Sequence, residues 1–219
     1  MKKSILFIFT ACFLFTTSCS DFLDEEHKTK YSSEYVFGTP EGLKLAVNAL
    51  YALQRYYAND TENATIFALE RGTDLAVTNG GTGNFYGIYD PNYLKPSASQ
   101  VGFMWRTMYQ IIGKANEIIA AAEDLEDTPS LRATVSEAKC FRAQSYFLLY
   151  RTFDRIWLNI QPTTAENVND PRDFHAASEK EVFDLIYEDL EYAITNLDWV
   201  SDEAGRFTQA AARHMKAKA

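Results

Sequence analysis

The feature that most constrains the fold of this chain is the recurrence of apolar residues at helical spacing. The longest such stripe runs from about Ser99 to Asp124, and the opposite face of the segment is polar. An apolar residue at every third or fourth position predicts an amphipathic α-helix with one buried face. The residues on this predicted buried face are Met104, Met108, Ile111, Ile112, Ala115, Ile118, Ile119 and Ala122.

Further helices begin at residues that favour helix N-termini. Thr39-Pro40 and Thr128-Pro129 each combine a capping side chain with a first-turn proline, and Ser178-Glu179-Lys180-Glu181 reads as a capping box. The helices predicted from these signals span about 39–57, 128–153 and 178–197, and a last helix opens at Gln209 after Thr208. The chain is therefore predicted to be all-α.

The helix predicted near 128–153 carries two apolar lines instead of one. The first line includes Val135, Ala138 and Tyr146, and the second includes Cys140 and Ala143. A helix that is apolar on two sides should pack between neighbours. Of the other two cysteines, Cys12 falls in the predicted N-terminal leader and Cys19 at its predicted cleavage point, so no disulfide with Cys140 is expected. Cys140 is therefore expected to be a small core residue.

The spacing of the helix starts indicates repeated units. The starts near Ser99 and Thr128 lie about as far apart as those near Ser178 and Thr208. Helix pairs of similar length bury their apolar faces by stacking on one another. We therefore predict a tetratricopeptide-like stack of antiparallel helix pairs with a long irregular ligand-facing loop.

The N-terminus has the pattern of a lipoprotein leader. Lys2 and Lys3 precede an apolar run from Ile5 to Phe15, which is too short to cross a bilayer and is typical of a secretory signal. Small residues then lead to Cys19, as at the cleavage point of a lipoprotein signal peptide. We predict a signal peptide over 1–18, a lipidated tether over 19–38 and a helical domain over 39–219, with acyl chains on Cys19 as membrane anchor.

Charge and motif content exclude several functions. A formal net charge of −9 argues against nucleic acid, which needs a basic surface. The three histidines have no metal-ligand spacing, and Asn79-Gly80-Gly81-Thr82-Gly83 lacks the strand and helix of a phosphate loop. Acid pairs such as Glu188-Asp189 are expected on solvated helix faces. We therefore predict no catalytic residue, no metal and no cofactor.

The segment between the first two long helices, about 58–98, is the predicted ligand site. Connections of this length are usually functional or disordered. This one combines hydrogen-bonding side chains with aromatic rings, the two features that a sugar needs. The alternative is that the tyrosines only pack the loop onto the helices. The candidate ligand-binding residues are Arg71, Asp74, Asn79, Asn84, Tyr86, Tyr89 and Tyr93, with Phe85 beside them.

Five segments, in order, resemble the RagB/SusD family of outer-membrane nutrient-binding lipoproteins. They begin at Cys19-Ser-Asp-Phe-Leu-Asp and continue with Trp105-Arg-Thr-Met-Tyr109-Gln-Ile-Ile-Gly-Lys-Ala-Asn116. The third is Glu137-Ala-Lys-Cys-Phe-Arg142-Ala, followed by Glu181-Val-Phe-Asp-Leu-Ile-Tyr-Glu-Asp189-Leu; Gly205-Arg206-Phe-Thr208 then opens like the family's next helix. The resemblance implies the same helical-repeat fold and a binding function.

The chain departs from the family pattern in two places. Where the family commonly shows Phe-Gly-Asp-Ile-Pro-Leu, this chain has Phe153-Asp154-Arg155-Ile156-Trp157-Leu158. Family members also run to about twice this length or more, so the helical domain is expected to be incomplete at its C-terminus.

The resemblance implies capture of a glycan or related nutrient at the cell surface and its delivery to a SusC-like TonB-dependent transporter. Localisation would be the outer membrane, through the lipid anchor. Two alternatives remain open: a helical-repeat scaffold that binds a peptide or protein partner without glycan recognition, and a surface hydrolase.

Overall fold

The computed structural model describes residues 31–59, 99–164, 166–171 and 174–219. Within these residues the regular elements are α-helices: α1 Ser33–Gly38, α2 Pro40–Asn59, α3 Ser99–Ala122, α4 Pro129–Thr152, α5 Glu179–Asn196 and α6 Gln209–Lys218. The prediction of an all-α protein is confirmed. Helix α1 was not predicted; it lies inside the range assigned to the tether.

The capping residues read from the sequence do cap the helices. Thr128 accepts a hydrogen bond from the Leu131 amide at the start of α4, and Thr208 does the same for Ala211 at the start of α6. At α5, Ser178 and Glu181 exchange side-chain to backbone hydrogen bonds as a complete capping box. These bonds satisfy amides that have no acceptor within the helix, which is why the sequence positions mark the boundaries well.

Neighbouring helices pack antiparallel in chain order. Between α3 and α4, Trp105 contacts Phe153 near one end and Asn116 contacts Arg142 further along. Between α4 and α5, Tyr150 contacts Phe183. Each helix makes its main contacts with the helix before and after it, and α4 also touches α2. This arrangement confirms the predicted tetratricopeptide-like stack of helix pairs.

The predicted apolar stripe of α3 lies in the core from Met104 to Ile118, whereas Ile119 and Ala122 are half-buried at its end. The prediction that α4 is buried on two sides is also confirmed, since Val135, Ala138, Cys140 and Tyr146 are all buried. Burial raises the pKa of the Cys140 thiol well above its ordinary range, so the thiol stays protonated in the core.

Two glycines permit local approaches that a side chain would block. A Cβ at Gly42 would lie 2.1 Å from the Tyr35 carbonyl oxygen, so glycine allows α1 to pack against the start of α2. Gly205 adopts φ +85°, a conformation that favours glycine, in the turn between α5 and α6. This positive φ gives a structural reason for the glycine that opens the segment Gly205-Arg206-Phe-Thr208.

Helix α3 ends two residues before the predicted Asp124. The amides of Glu123 and Leu125 donate to carbonyls three residues back, at Ala120 and Ala122, so the last turn tightens before the chain reverses. Over the described ranges, no helix is both long and apolar enough to span a bilayer.

Candidate ligand-binding site

The residues predicted to bind ligand all lie outside the described residues, and so does Cys19. They are Arg71, Asp74, Asn79, Asn84, Tyr86, Tyr89 and Tyr93, together with Phe85. Their assignment stays a prediction. The structure does describe the two helices that this segment joins, α2 at its start and α3 at its end.

The end of α2 and the start of α3 are joined by aromatic contacts. The Tyr57 and Phe103 rings are nearly parallel, with centroids 6.2 Å apart, and Tyr56 meets Phe103 edge-on at 5.7 Å. Tyr57 and Phe103 are buried, whereas Tyr56 is 59% exposed. These contacts set the distance between the two points where the predicted ligand segment leaves and rejoins the helices.

Tyr57 has an unusual environment. Its hydroxyl is buried and has no hydrogen-bond partner among the atoms that the structure describes. Burial raises the pKa of Tyr57 to about 12 from an ordinary 10.0. Buried polar groups are normally paired, so an unpaired one requires an explanation. Its position at the junction of α2 and α3 places it next to the predicted site along the chain.

A line of five aromatic side chains, here called the aromatic strip, runs from α3 onto the connector between α4 and α5. Trp105 packs against Phe153 at 4.9 Å and against Tyr109 at 4.8 Å. Tyr109 lies 6.4 Å from Trp157, and Trp157 lies 4.8 Å from Phe174. The first four rings are half-buried, and Phe174 is 71% exposed. Sequence reasoning did not single out the strip as a site.

Tyrosine hydroxyls hold the connector beside the strip. The Tyr109 hydroxyl donates to the Trp157 carbonyl at 2.8 Å and accepts from the Trp157 amide at 2.9 Å. Asn159 lies two residues after Trp157 and is held in the same way. The Tyr146 hydroxyl donates to the Asn159 carbonyl at 2.9 Å and accepts from the Asn159 amide at 2.7 Å. Burial raises the pKa of both tyrosines, so both hydroxyls keep the proton that they donate. The connector is thereby bonded at alternate residues by two tyrosine hydroxyls.

A buried ionic network lies deeper between α3, α4 and α5. Arg142 makes two hydrogen bonds of 2.7 Å to the Asp189 carboxylate and a third, of 2.8 Å, to the Asn116 side-chain carbonyl. Lys139 donates to Asp189 at 2.8 Å, and Asn116 donates to the Asn159 carbonyl. The expectation that Glu188-Asp189 lies on a solvated face is wrong for Asp189, which is fully buried because two cations from α4 compensate its charge.

A second polar cluster joins α2, α4 and the turn before α6. The Tyr51 hydroxyl donates to the Glu137 carboxylate at 2.5 Å and accepts from the Phe207 amide at 2.7 Å, while Arg206 bonds Glu137 at 3.2 Å. Burial raises the pKa of Glu137 above its ordinary value, although Tyr51 and Arg206 act against that shift. Glu137 and Arg206 are thus structural members of the family-like segments.

Over the described ranges, no group of three His, Cys, Asp or Glu side chains is placed to hold a metal ion. Of the three rings that join the end of α2 to the start of α3, Tyr56 is the exposed one. An exposed aromatic ring can hold a ligand by stacking.

Comparisons with known proteins identify the family of this helical chain. Residues 21–218 match the SusD-like family described as starch-binding and associating with the outer membrane. A SusD-like protein of Bacteroides ovatus is 28% identical over 231 residues, covering 100% of this chain and 39% of the relative. SusD-like protein P38 of Formosa agariphila is 28% identical over 211 residues, covering 93% of this chain and 40% of the relative.

Solved structures show the same fold. A laminarin-binding SusD-like protein superposes with a TM-score of 0.70 at 26% identity, over 81% of this chain and 39% of that protein. A structure solved with xylogluco-oligosaccharide gives a TM-score of 0.64 at 24% identity, over 80% of this chain and 34% of that protein, and supports the fold alone. This chain spans about two fifths of the length of the curated relatives it matches. From the family match over nearly its whole length, the chain belongs to the SusD-like family.

Proposed function

We propose that this chain binds a glycan at the cell surface and delivers it to a SusC-like TonB-dependent transporter, without catalysing a reaction. The observation that carries the proposal is membership of a family described as starch-binding and associating with the outer membrane. The similarity to a protein named as laminarin-binding supports a glycan as ligand class. The transporter is inferred from the family resemblance.

The proposed glycan contacts are the aromatic and amide-rich residues between α2 and α3. Arg71, Asp74, Asn79 and Asn84 would bond sugar hydroxyls, and the rings of the segment would cover the C–H faces of the sugar. The described part of the chain supports this location in one respect. Stacked rings at Tyr57 and Phe103 fix the helix ends between which the segment is held.

Affinity gel electrophoresis on laminarin and xyloglucan tests the glycan site. Replacing Tyr86, Tyr89 and Tyr93 by alanine should abolish retardation, because the stacking faces are lost. Alanine at Tyr187 and Trp199, both exposed on other parts of the chain, is the matched control and should leave retardation unchanged. Equal retardation of the triple variant and the control would exclude the segment as the site.

Lipidation of Cys19 is the proposed means of attachment to the outer membrane. Acyl chains bury enough hydrocarbon for stable anchoring when more than one chain is attached. Globomycin, which blocks lipoprotein signal peptidase, should therefore leave the precursor unprocessed, and Cys19→Ala should remove the protein from the membrane fraction. Normal processing in globomycin would contradict the anchor.

A peptide-binding scaffold is the second candidate, and one observation favours it. A groove of about 200 Å³ lies between α4, α5 and α6, and its lining combines apolar side chains with Arg151, His214 and Lys218. That lining would suit an apolar peptide with acidic residues. The scaffold predicts that a peptide or protein partner co-purifies with the chain and that the chain is not retarded by glycan in affinity gels. It also predicts that Lys218→Glu abolishes the co-purification. These results together would favour the scaffold over the glycan-binding function.

A further inference from the structure

The exposed end of the aromatic strip is not explained by folding alone. Phe174 is 71% exposed, and its ring packs against Trp157. Two more large apolar side chains of the same connector are exposed, Ile160 at 57% and Val168 at 53%. Large exposed apolar side chains on one connector are candidates for contact with another molecule.

Trp157 is held in place before any ligand arrives. Its backbone amide and carbonyl are both bonded to the Tyr109 hydroxyl, and the following Asn159 is bonded in the same way to Tyr146. Its ring also contacts the rings of Tyr109 and Phe174. A ring restrained in advance loses little conformational entropy on binding, so its contacts contribute more of their energy to affinity.

The chemistry of the strip suits a neutral ligand. The five rings carry no charge, and the hydroxyl of Tyr109 is already engaged by the Trp157 backbone. These rings offer faces and edges, as the C–H faces of an uncharged sugar require. Trp157 also stands where the family resemblance leads one to expect proline, so the tryptophan is a departure from the family pattern.

We propose that Trp157 and Phe174 form a second contact for a neutral polysaccharide, separate from the segment between α2 and α3. The ligand class rests on the proposed function. A polymer held at both places is bound more tightly than a short oligosaccharide held at one, because the second contact forms within an existing complex.

The first test compares Trp157→Ala/Phe174→Ala with Trp199→Ala, whose tryptophan is 61% exposed in the turn between α5 and α6. Affinity gels with laminarin and xyloglucan should show polymer binding weakened about tenfold in the double variant and unchanged in the control. Circular dichroism and thermal unfolding report whether both variants keep the fold. Polymer affinity equal to that of the control would overturn the proposal.

The second test reads Trp157 directly and does not depend on removing it. The chain has three tryptophans, so Trp105→Phe/Trp199→Phe leaves Trp157 as the one tryptophan, which is excited selectively over tyrosine, while keeping an aromatic ring at each position. Titration with laminarin or xyloglucan should shift or quench its emission, and Phe174→Ala should reduce that change. Emission unchanged at saturating polymer would overturn the proposal.

The two sites fail in different ways. If the variant at Tyr86, Tyr89 and Tyr93 loses binding while Trp157→Ala/Phe174→Ala binds normally, the proposed function stands and the second contact is wrong. If only the strip variant loses binding, the second contact stands and the predicted segment is not the site. Loss of transporter co-purification with normal polysaccharide binding would assign the strip to a protein partner and overturn the glycan contact.

Discussion

The two ends of helix α3 differ in whether the buried polar side chains packed there are hydrogen-bonded. Near its C-terminal end, Asn116 is buried and uses both side-chain groups, accepting from Arg142 and donating to the Asn159 carbonyl. Near its N-terminal end, Phe103 packs on Tyr57, whose buried hydroxyl has no partner among the described atoms. The first end is a saturated network, and the second carries an unsatisfied donor.

The difference distinguishes a saturated scaffold from the helix junction that adjoins the predicted site along the chain. A saturated network of charged hydrogen bonds specifies one arrangement of α3, α4 and α5 and is costly to disturb. A buried hydroxyl that is left unpaired costs stability, because it loses its hydrogen bonds to water. Its location where α2 and α3 meet the predicted ligand segment matches the general tendency of binding sites to tolerate local energetic cost.

Arg142→Ala is expected to have the largest effect, because it tests whether the saturated network stabilises the fold. It would leave the Asp189 carboxylate buried with Lys139 as its remaining ion-pair partner, so the free energy of unfolding should fall by about 3–5 kcal/mol. Chemical denaturation measures the loss. Arg155→Ala, at a side chain 82% exposed, is the control and should change little. A loss below about 1 kcal/mol for Arg142→Ala would show that the network contributes little to stability.

Asn116→Ala tests how far the saturation matters beyond the ion pair. It removes an acceptor from Arg142 and a donor from the Asn159 carbonyl, so a loss of about 1–3 kcal/mol is expected. The connector should loosen as well, which hydrogen exchange at the Asn159 amide would report. An unchanged exchange rate would mean that Tyr146 alone holds this part of the connector.

Tyr57→Phe tests the opposite end and should have the opposite sign. Removing an unpaired buried hydroxyl should raise the free energy of unfolding by about 1 kcal/mol, as thermal or chemical unfolding would measure. Destabilisation by the variant would show that the hydroxyl has a partner in the folded protein. Tyr146→Phe, which loses two hydrogen bonds to Asn159, is the matched contrast and should destabilise.

Tyr57→Phe should also change how the free energy of unfolding depends on pH. The pKa of Tyr57 is raised in the folded state, so the folded protein holds this proton more tightly than the unfolded chain does. The associated stability is fully present below about pH 10 and is lost as the pH rises through about 12. Unfolding measured between these values should show a steeper loss for the wild type than for Tyr57→Phe; parallel curves would contradict the shift.

The smallest effect is expected for an ion pair on the surface. Lys180 and Asp184 pair one helical turn apart on α5, with side chains 82% and 63% exposed. Lys180→Ala should lower the free energy of unfolding by less than about 0.5 kcal/mol, because water screens the pair. A loss comparable to that of Arg142→Ala would remove the distinction between buried and exposed pairs.

Helix boundaries were predicted well because their signals are local. Thr128, Ser178 and Thr208 cap the helices they precede, and a cap bonds amides only two or three residues away. Helix α1 was missed because its six residues carry no apolar period of their own. Its position depends on the close approach to Gly42, a contact that periodicity does not reveal.

The two proposed contact regions differ in how far the sequence indicated them. The segment between α2 and α3 was singled out by composition, whereas the aromatic strip was not, although Trp105 and Tyr109 stood in a family-like segment. Its rings come from α3, the end of α4 and the connector, and residues 109 and 157 meet through packing. The one signal available was Trp157 in place of an expected proline.

By itself, the sequence determined the helical class, the helix starts and the buried stripes, because caps and apolar periodicity act over a few residues. Only the tertiary structure decided that Asp189 is buried and that Tyr109 and Tyr146 hold the connector. Asp189 finds Arg142 47 residues away, and the cost of burying a carboxylate depends on whether such a partner is in place. Pairings of that kind arise from how the helices stack, which no local pattern of residues records.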